Sequence, residues 1–181
     1  MTRLAIYIFY DKDGIVDDYV IYYLKELKTV ADRIIIVVNG DLNTAGYSKL
    51  SEYTSEIVVR ENIGFEQKAY EHIFLNYLSK NELQEYDEVI MSNNSFYGPL
   101  EPFKDIFDSM ESQELDFWGM GMADMNAFIV MPSFFIVYRK KIITNRELEV
   151  FFDKNKIYEV RDFGNVVQLF EYGLFSYLKN K

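Results

Sequence analysis

The chain has 181 residues, 49% of them hydrophobic, enough for one ordinary domain with a sizeable core. Its formal charge of −10 excludes the Lys/Arg-rich surface that a nucleic-acid groove or an anionic lipid face needs. Cysteine is absent and histidine occurs once, at His72, so disulfides, Cys-ligated zinc, thiol nucleophiles and any site with two His ligands are excluded.

No apolar run is long enough for a membrane-spanning helix, and the N-terminus lacks the apolar core of a signal peptide. The expected home is the reducing cytoplasm. Tyr and Phe number 15 each, a quantity that favours core packing over a dedicated aromatic sugar pocket.

In chain order, Leu4–Tyr10 is a short apolar run that reads as a buried strand, closed by Asp11-Lys12-Asp13-Gly14. From Ile15 to Ala31 apolar residues recur at helical spacing, with Asp17 and Asp18 in the first turn, where the helix dipole favours anions. Ile34–Val38 is a second buried strand, ended by Asn39-Gly40-Asp41, and a short helix is expected over 44–53. Glu56–Arg60 reads as a third strand and 65–79 as a helix carrying His72, read as a structural histidine on an apolar face. Glu88–Met91 is a fourth strand, followed by a helix over Leu100–Met110. Leu115–Gly119 and Ser133–Tyr138 are two further strands, and helices are expected near 145–153 and 163–179.

Strands alternate with helices, and the early strands are continuous apolar runs. The pattern predicts a single α/β domain over 1–181, its parallel or mixed sheet covered on both faces. In such sheets ligands bind at the carboxyl ends of the strands. Four of those ends turn from apolar to small and polar: Tyr10-Asp11, Asn39-Gly40-Asp41, Arg60-Glu61-Asn62-Ile63-Gly64 and Ser92-Asn93-Asn94-Ser95. Together they predict a cleft suited to a nucleotide. Asp and Asn can bond a base edge and ribose hydroxyls, Arg60 offers a fork to phosphate, and Gly64 permits close backbone approach before a helix N-terminus. Neither GxxxxGK[ST] nor GxGxxG occurs, which argues against a kinase or a dinucleotide dehydrogenase.

These residues also carry a resemblance. The segments RLAIYIFYDKDGIVDDYVIYYLKEL, VVRENIGFEQKAY, DEVIMSNNSFYGPL, DFWGM, SFFIVYRKKII and VVQLFEYGLFSYL occur in order along nearly the whole chain. They resemble the rhamnan synthesis F family of bacterial glycosyltransferases. The resemblance implies a GT-A-like fold and transfer of a sugar from a nucleotide-sugar, commonly dTDP-rhamnose. It also implies a glycan or lipid-linked glycan acceptor and association with membrane-bound synthesis of cell-surface polysaccharide.

In that reading Tyr10, Asp11, Asn39, Arg60, Asn62, Gly64, Asn93 and Ser95 hold the nucleotide-sugar. Asn94 stands where the family has an aspartate that holds Mg²⁺ or Mn²⁺ on the diphosphate. An amide oxygen is a neutral, weaker ligand for such a hard cation, so diphosphate and water would carry much of the coordination. Glu66 and Lys68 replace an aspartate and a small residue, and Val130-Met131-Pro132 replaces a His-x-Gln-like segment.

For the base that an inverting transfer needs near the acceptor hydroxyl, Glu171 and Asp124 are the candidates. Trp118 can stack on a sugar or fill the core. The competing functions are a degenerate module that binds without turnover, favoured by Asn94 and Val130, and a glycoside hydrolase, which needs two carboxylates across a cleft.

Overall fold

A computed structural model describes residues 1–79, 81–124, 129–156 and 162–181 of the chain. The strands are β1 (Arg3–Phe9), β2 (Arg33–Asn39), β3 (Ile57–Arg60), β4 (Glu88–Asn93), β5 (Phe117–Gly119), β6 (Ala123–Asp124), β7 (Ile129–Val130) and β8 (Phe135–Arg139). Six of them form one sheet in the order β3-β2-β1-β4-β8-β5. The first four run parallel, β8 lies antiparallel to β4, and β5 antiparallel to β8. The small β6–β7 hairpin stands apart from this sheet; periodicity gave no sign of it, since two-residue strands carry none.

Along β1 every residue from Leu4 to Phe9 is buried, because both faces are covered. Leu4, Ile6 and Ile8 join one core layer with α3 (Phe65–His72), α5 (Lys140–Thr144), α6 (Glu147–Asn155) and α8 (Gly173–Lys179). Ala5, Tyr7 and Phe9 join the other, with α1 (Asp18–Leu27), α2 (Thr44–Ser51) and α4 (Phe103–Glu111). Each large side chain removed from water in these layers contributes roughly 1.5–3 kcal/mol. Trp118 lies in the second layer, edge-on to Phe107, so its role is packing. His72, expected on a buried face, is half-buried at the end of α3.

The helix expected from Ile15 begins at Asp18. The Asp11 carboxylate explains the delay: its Oδ1 accepts from the N–H groups of Asp13 and Ile15, both at 2.9 Å, and holds 11–15 in a turn. Gly14 sits in that turn at φ +66°, a conformation open to glycine. α1 then buries Val20, Tyr23, Leu24 and Leu27, the spacing of one helical face.

The register is pinned at the amino ends of β1 and β4 and the carboxyl end of the antiparallel β8. Glu88 is paired across the sheet with Arg3 on β1 and Arg139 on β8, and its carboxylate bonds both guanidinium groups at 2.6 and 3.1 Å. The positions of β1, β4 and β8 are thereby tied together at the end of the sheet opposite the polar strand ends.

Candidate functional site

The carboxyl ends of β1, β2 and β4, the start of α3 and the approach to β8 enclose a cleft of about 420 Å³. Of the residues predicted to bind ligand, Tyr10, Asn39, Asn62, Asn93, Asn94, Ser95 and Glu171 line it. No Lys or Arg is among its described lining residues, which include two carboxylates, Glu66 and Glu171.

The carboxylates meet at Ser133, just before β8. The Ser133 N–H donates to Glu171 Oε1 at 2.8 Å, and its hydroxyl donates to Glu66 Oε1 at 3.2 Å. Asn93 Nδ2 reaches the same hydroxyl at 3.5 Å. Glu66 stands in the first turn of α3, two residues after Gly64, whose φ of +75° starts the helix. Burial pushes the Glu66 carboxyl pKa above its ordinary 4.5, and the nearby Glu171 charge adds to the rise. Glu171 projects from a π-helical segment, Val167–Tyr172, inserted between α7 (Phe163–Val166) and α8. That wider turn replaces the continuous helix expected over 163–179, and π segments recur at functional sites because they re-aim a side chain.

The opposite end of the cleft offers donors. Arg60 Nη1 bonds Asn39 Oδ1 at 2.5 Å, and Nη2 bonds the Ile63 carbonyl at 2.7 Å. Arginine only donates, so the amide oxygen of Asn39 must face it, and the Asn39 nitrogen is left without a protein partner among the described residues. Asn39 is 2% exposed yet lines the cleft. Arg60 itself lines an adjoining depression of about 390 Å³ with Gly40, Asp41 and Asn62, and Asn62 belongs to both. Burial lowers the Arg60 pKa from its ordinary value, but a guanidinium stays charged at any working pH.

The polar end of β4 is built to close the sheet. Tyr70 donates to the Ser92 carbonyl at 2.9 Å, and Asn93 Oδ1 accepts from Ser95 N–H at 3.0 Å. Asn94 bridges to β1: its Oδ1 accepts from Tyr10 N–H at 3.0 Å, while its nitrogen donates to the Tyr10 carbonyl at 2.9 Å and to the Tyr19 hydroxyl at 3.1 Å. The amide, not a carboxylate, is the group that can donate and accept in one clamp. Beyond it the chain turns through the cis Gly98–Pro99 peptide to Leu100, which is almost fully exposed.

That clamp bears on the metal expectation. The oxygen proposed for a cation is already given to a main-chain N–H, and among the described residues no three His, Cys, Asp or Glu side chains converge as a metal cage. The Asn94 amide oxygen keeps a second lone pair, so a cation on the diphosphate would take at most one ligand from Asn94 and the rest from phosphate and water.

Asp11 and Gly64 do not line the cleft; the first holds the β1–α1 turn and the second starts α3. The backbone of Asp124 lies on β6, paired with Ile129, and its side chain falls outside what the structure describes. Glu66 and Ser133 were missed as site residues. The one signal available was the position of Glu66, a carboxylate in the turn that follows the glycine of a strand end.

Sheet order, strand directions and a cleft at the carboxyl strand ends define a GT-A-like α/β fold of the glycosyltransferase type. The chain belongs to the rhamnan synthesis protein F family, which matches residues 34–180. No curated protein matches it. Among solved structures, HddC from Yersinia pseudotuberculosis is similar at 16% identity and a TM-score of 0.50, with 80% of each chain covered. Core-mannan synthase A from Aspergillus fumigatus, in a Mn/GDP form, aligns at 10% identity and a TM-score of 0.40, covering 84% of this chain and 63% of that one. Among the described residues no helix is long and apolar enough to cross a membrane.

Proposed function

We propose that the protein binds a nucleotide-sugar across the two depressions and transfers its sugar, rhamnose in the first instance, to a growing cell-surface glycan. The observation that carries this reading is the polarity of the site. The unpartnered Asn39 amide nitrogen and the Arg60 guanidinium stand at one end, and two carboxylates stand at the other. A nucleoside diphosphate is rich in acceptor oxygens and seeks donors; sugar hydroxyls seek acceptors such as Glu66 and Glu171. The ligand therefore lies with its nucleotide over β2 and β3 and its hexose toward Ser133. Binding orients donor and acceptor, and a cleft carboxylate serves as base. The reaction takes place in the cytoplasm, on a glycan or lipid-linked glycan presented by partner proteins at the membrane.

A second reading, a module that holds the nucleotide-sugar without turnover, is favoured by one feature. Asn94 spends its oxygen on Tyr10 where the family places an aspartate. Calorimetric titration of dTDP-rhamnose, UDP-glucose and UDP-galactose, each with and without Mg²⁺ or Mn²⁺, tests both. Binding of one donor, followed by release of nucleoside diphosphate in the presence of acceptor, supports transfer. Binding without any release supports the module. Absence of binding to the folded protein refutes the donor site.

A further inference from the structure

The two cleft carboxylates are held in different ways by one residue. Glu171 accepts from the main-chain N–H of Ser133 at 2.8 Å, a donor that cannot turn away. Glu66 accepts from the Ser133 hydroxyl at 3.2 Å, and a hydroxyl can rotate to serve as acceptor instead, with Asn93 Nδ2 already beside it at 3.5 Å. Among the described residues no Lys or Arg lines the cleft to neutralise Glu66. Burial raises the Glu66 pKa; its own main-chain N–H and the Ser133 hydroxyl work in the opposite sense, and the charge of Glu171 adds a smaller rise. Independently, the unpartnered nitrogen of the buried Asn39 marks the same cleft as one that receives a ligand.

We infer that Glu66, rather than Glu171, is the catalytic base that takes the proton from the acceptor hydroxyl. The inference rests on the transferase reading above. In the step, the acceptor O–H proton passes to the Glu66 carboxylate as the acceptor oxygen forms its bond to the anomeric carbon. The bond from that carbon to the diphosphate oxygen breaks, and its electron pair leaves with the diphosphate. Glu66 afterwards returns its proton to water. The two carboxylates divide the work by their contacts: Glu171, fixed on a main-chain N–H, orients hydroxyls, and Glu66, on a hydroxyl that can turn, cycles its proton.

The test compares a nucleophile that carries a proton with one that does not. Full-length wild type, Glu66→Gln and Glu171→Gln are assayed with the donor found by titration, using methyl rhamnoside or azide as acceptor. Azide attacks the anomeric carbon as an anion and needs no base. Glu66→Gln is expected to lose roughly 10²- to 10⁴-fold in kcat with the rhamnoside. Its loss of transfer to azide should be at least about tenfold smaller than its loss with the rhamnoside, because azide needs no base. Glu171→Gln is expected to slow both acceptors alike. A Glu66→Gln enzyme that still glycosylates the rhamnoside, or that loses azide transfer to the same degree, overturns the assignment while leaving the donor site standing. A wild type that binds no donor, or binds it without transfer to either acceptor, overturns the assignment and the transferase reading together.

Discussion

Asn94 joins two strand ends through three hydrogen bonds, two of them donated by its amide nitrogen. Asn94→Asp keeps the acceptor for Tyr10 N–H but sets a carboxylate oxygen, which cannot donate, against the Tyr10 carbonyl, while the Tyr19 hydroxyl can turn to donate to it. The expected cost is about 1–3 kcal/mol in urea denaturation, with no gain of metal-dependent donor binding; a variant that is as stable as wild type and acquires such binding would refute the clamp. Glu66 gives a prediction with a pH sign. Its folded-state pKa lies above the ordinary 4.5, so the folded state holds its proton more tightly than the unfolded chain does. Below that ordinary value the group costs the fold nothing, and stability falls as pH rises through the higher folded value. Glu66→Gln keeps an oxygen for Ser133 and removes the charge. Its Tm should therefore exceed that of wild type at pH 7, about 2–4 °C for each kcal/mol recovered, and the gain should vanish toward pH 4. Equal Tm values at pH 7 would count against a buried charge at Glu66.

Among the elements, β4 bears the most. At its amino end Glu88, nearly inaccessible, binds Arg3 and Arg139; at its carboxyl end Asn93 and Asn94 shape the cleft. Removing one partner of such a buried network strands the other charges, so Glu88→Ala should cost about 3–5 kcal/mol in denaturant unfolding. A loss below about 1 kcal/mol would show that the arginines are satisfied elsewhere. Most of this architecture was legible in the sequence. Unbroken apolar runs marked β1, β2 and β4 as doubly covered strands, and their abrupt polar ends marked the cleft. The π segment at Val167–Tyr172 was not legible, because the choice between helix types turns on one extra residue per hydrogen bond. Glu66 and Ser133 escaped for another reason: they lie 67 residues apart and meet through tertiary packing that no local pattern records. Asp11 misled because a carboxylate at a strand end serves a turn as readily as a ligand.

At the scale of the molecule, the fold places its register lock and its ligand cleft at opposite ends of one sheet. The described cleft presents no cation of its own, and the Arg60 guanidinium lies in the depression beside it. In the proposed reading this separation orients the donor, with phosphates toward Arg60 and Asn39 and hexose toward Glu66 and Glu171. The family match over residues 34–180 and the GT-A-like sheet agree with a transferase site at these strand ends. The measurement that tests this account most directly is a crystal structure with the tightest-binding nucleotide-sugar. The account predicts the diphosphate near Arg60, an acceptor oxygen of the ligand on Asn39 Nδ2, and hexose hydroxyls bonded to Glu66 and Glu171. A donor bound in the reverse sense, or seated away from the carboxyl ends of β1, β2 and β4, would contradict it.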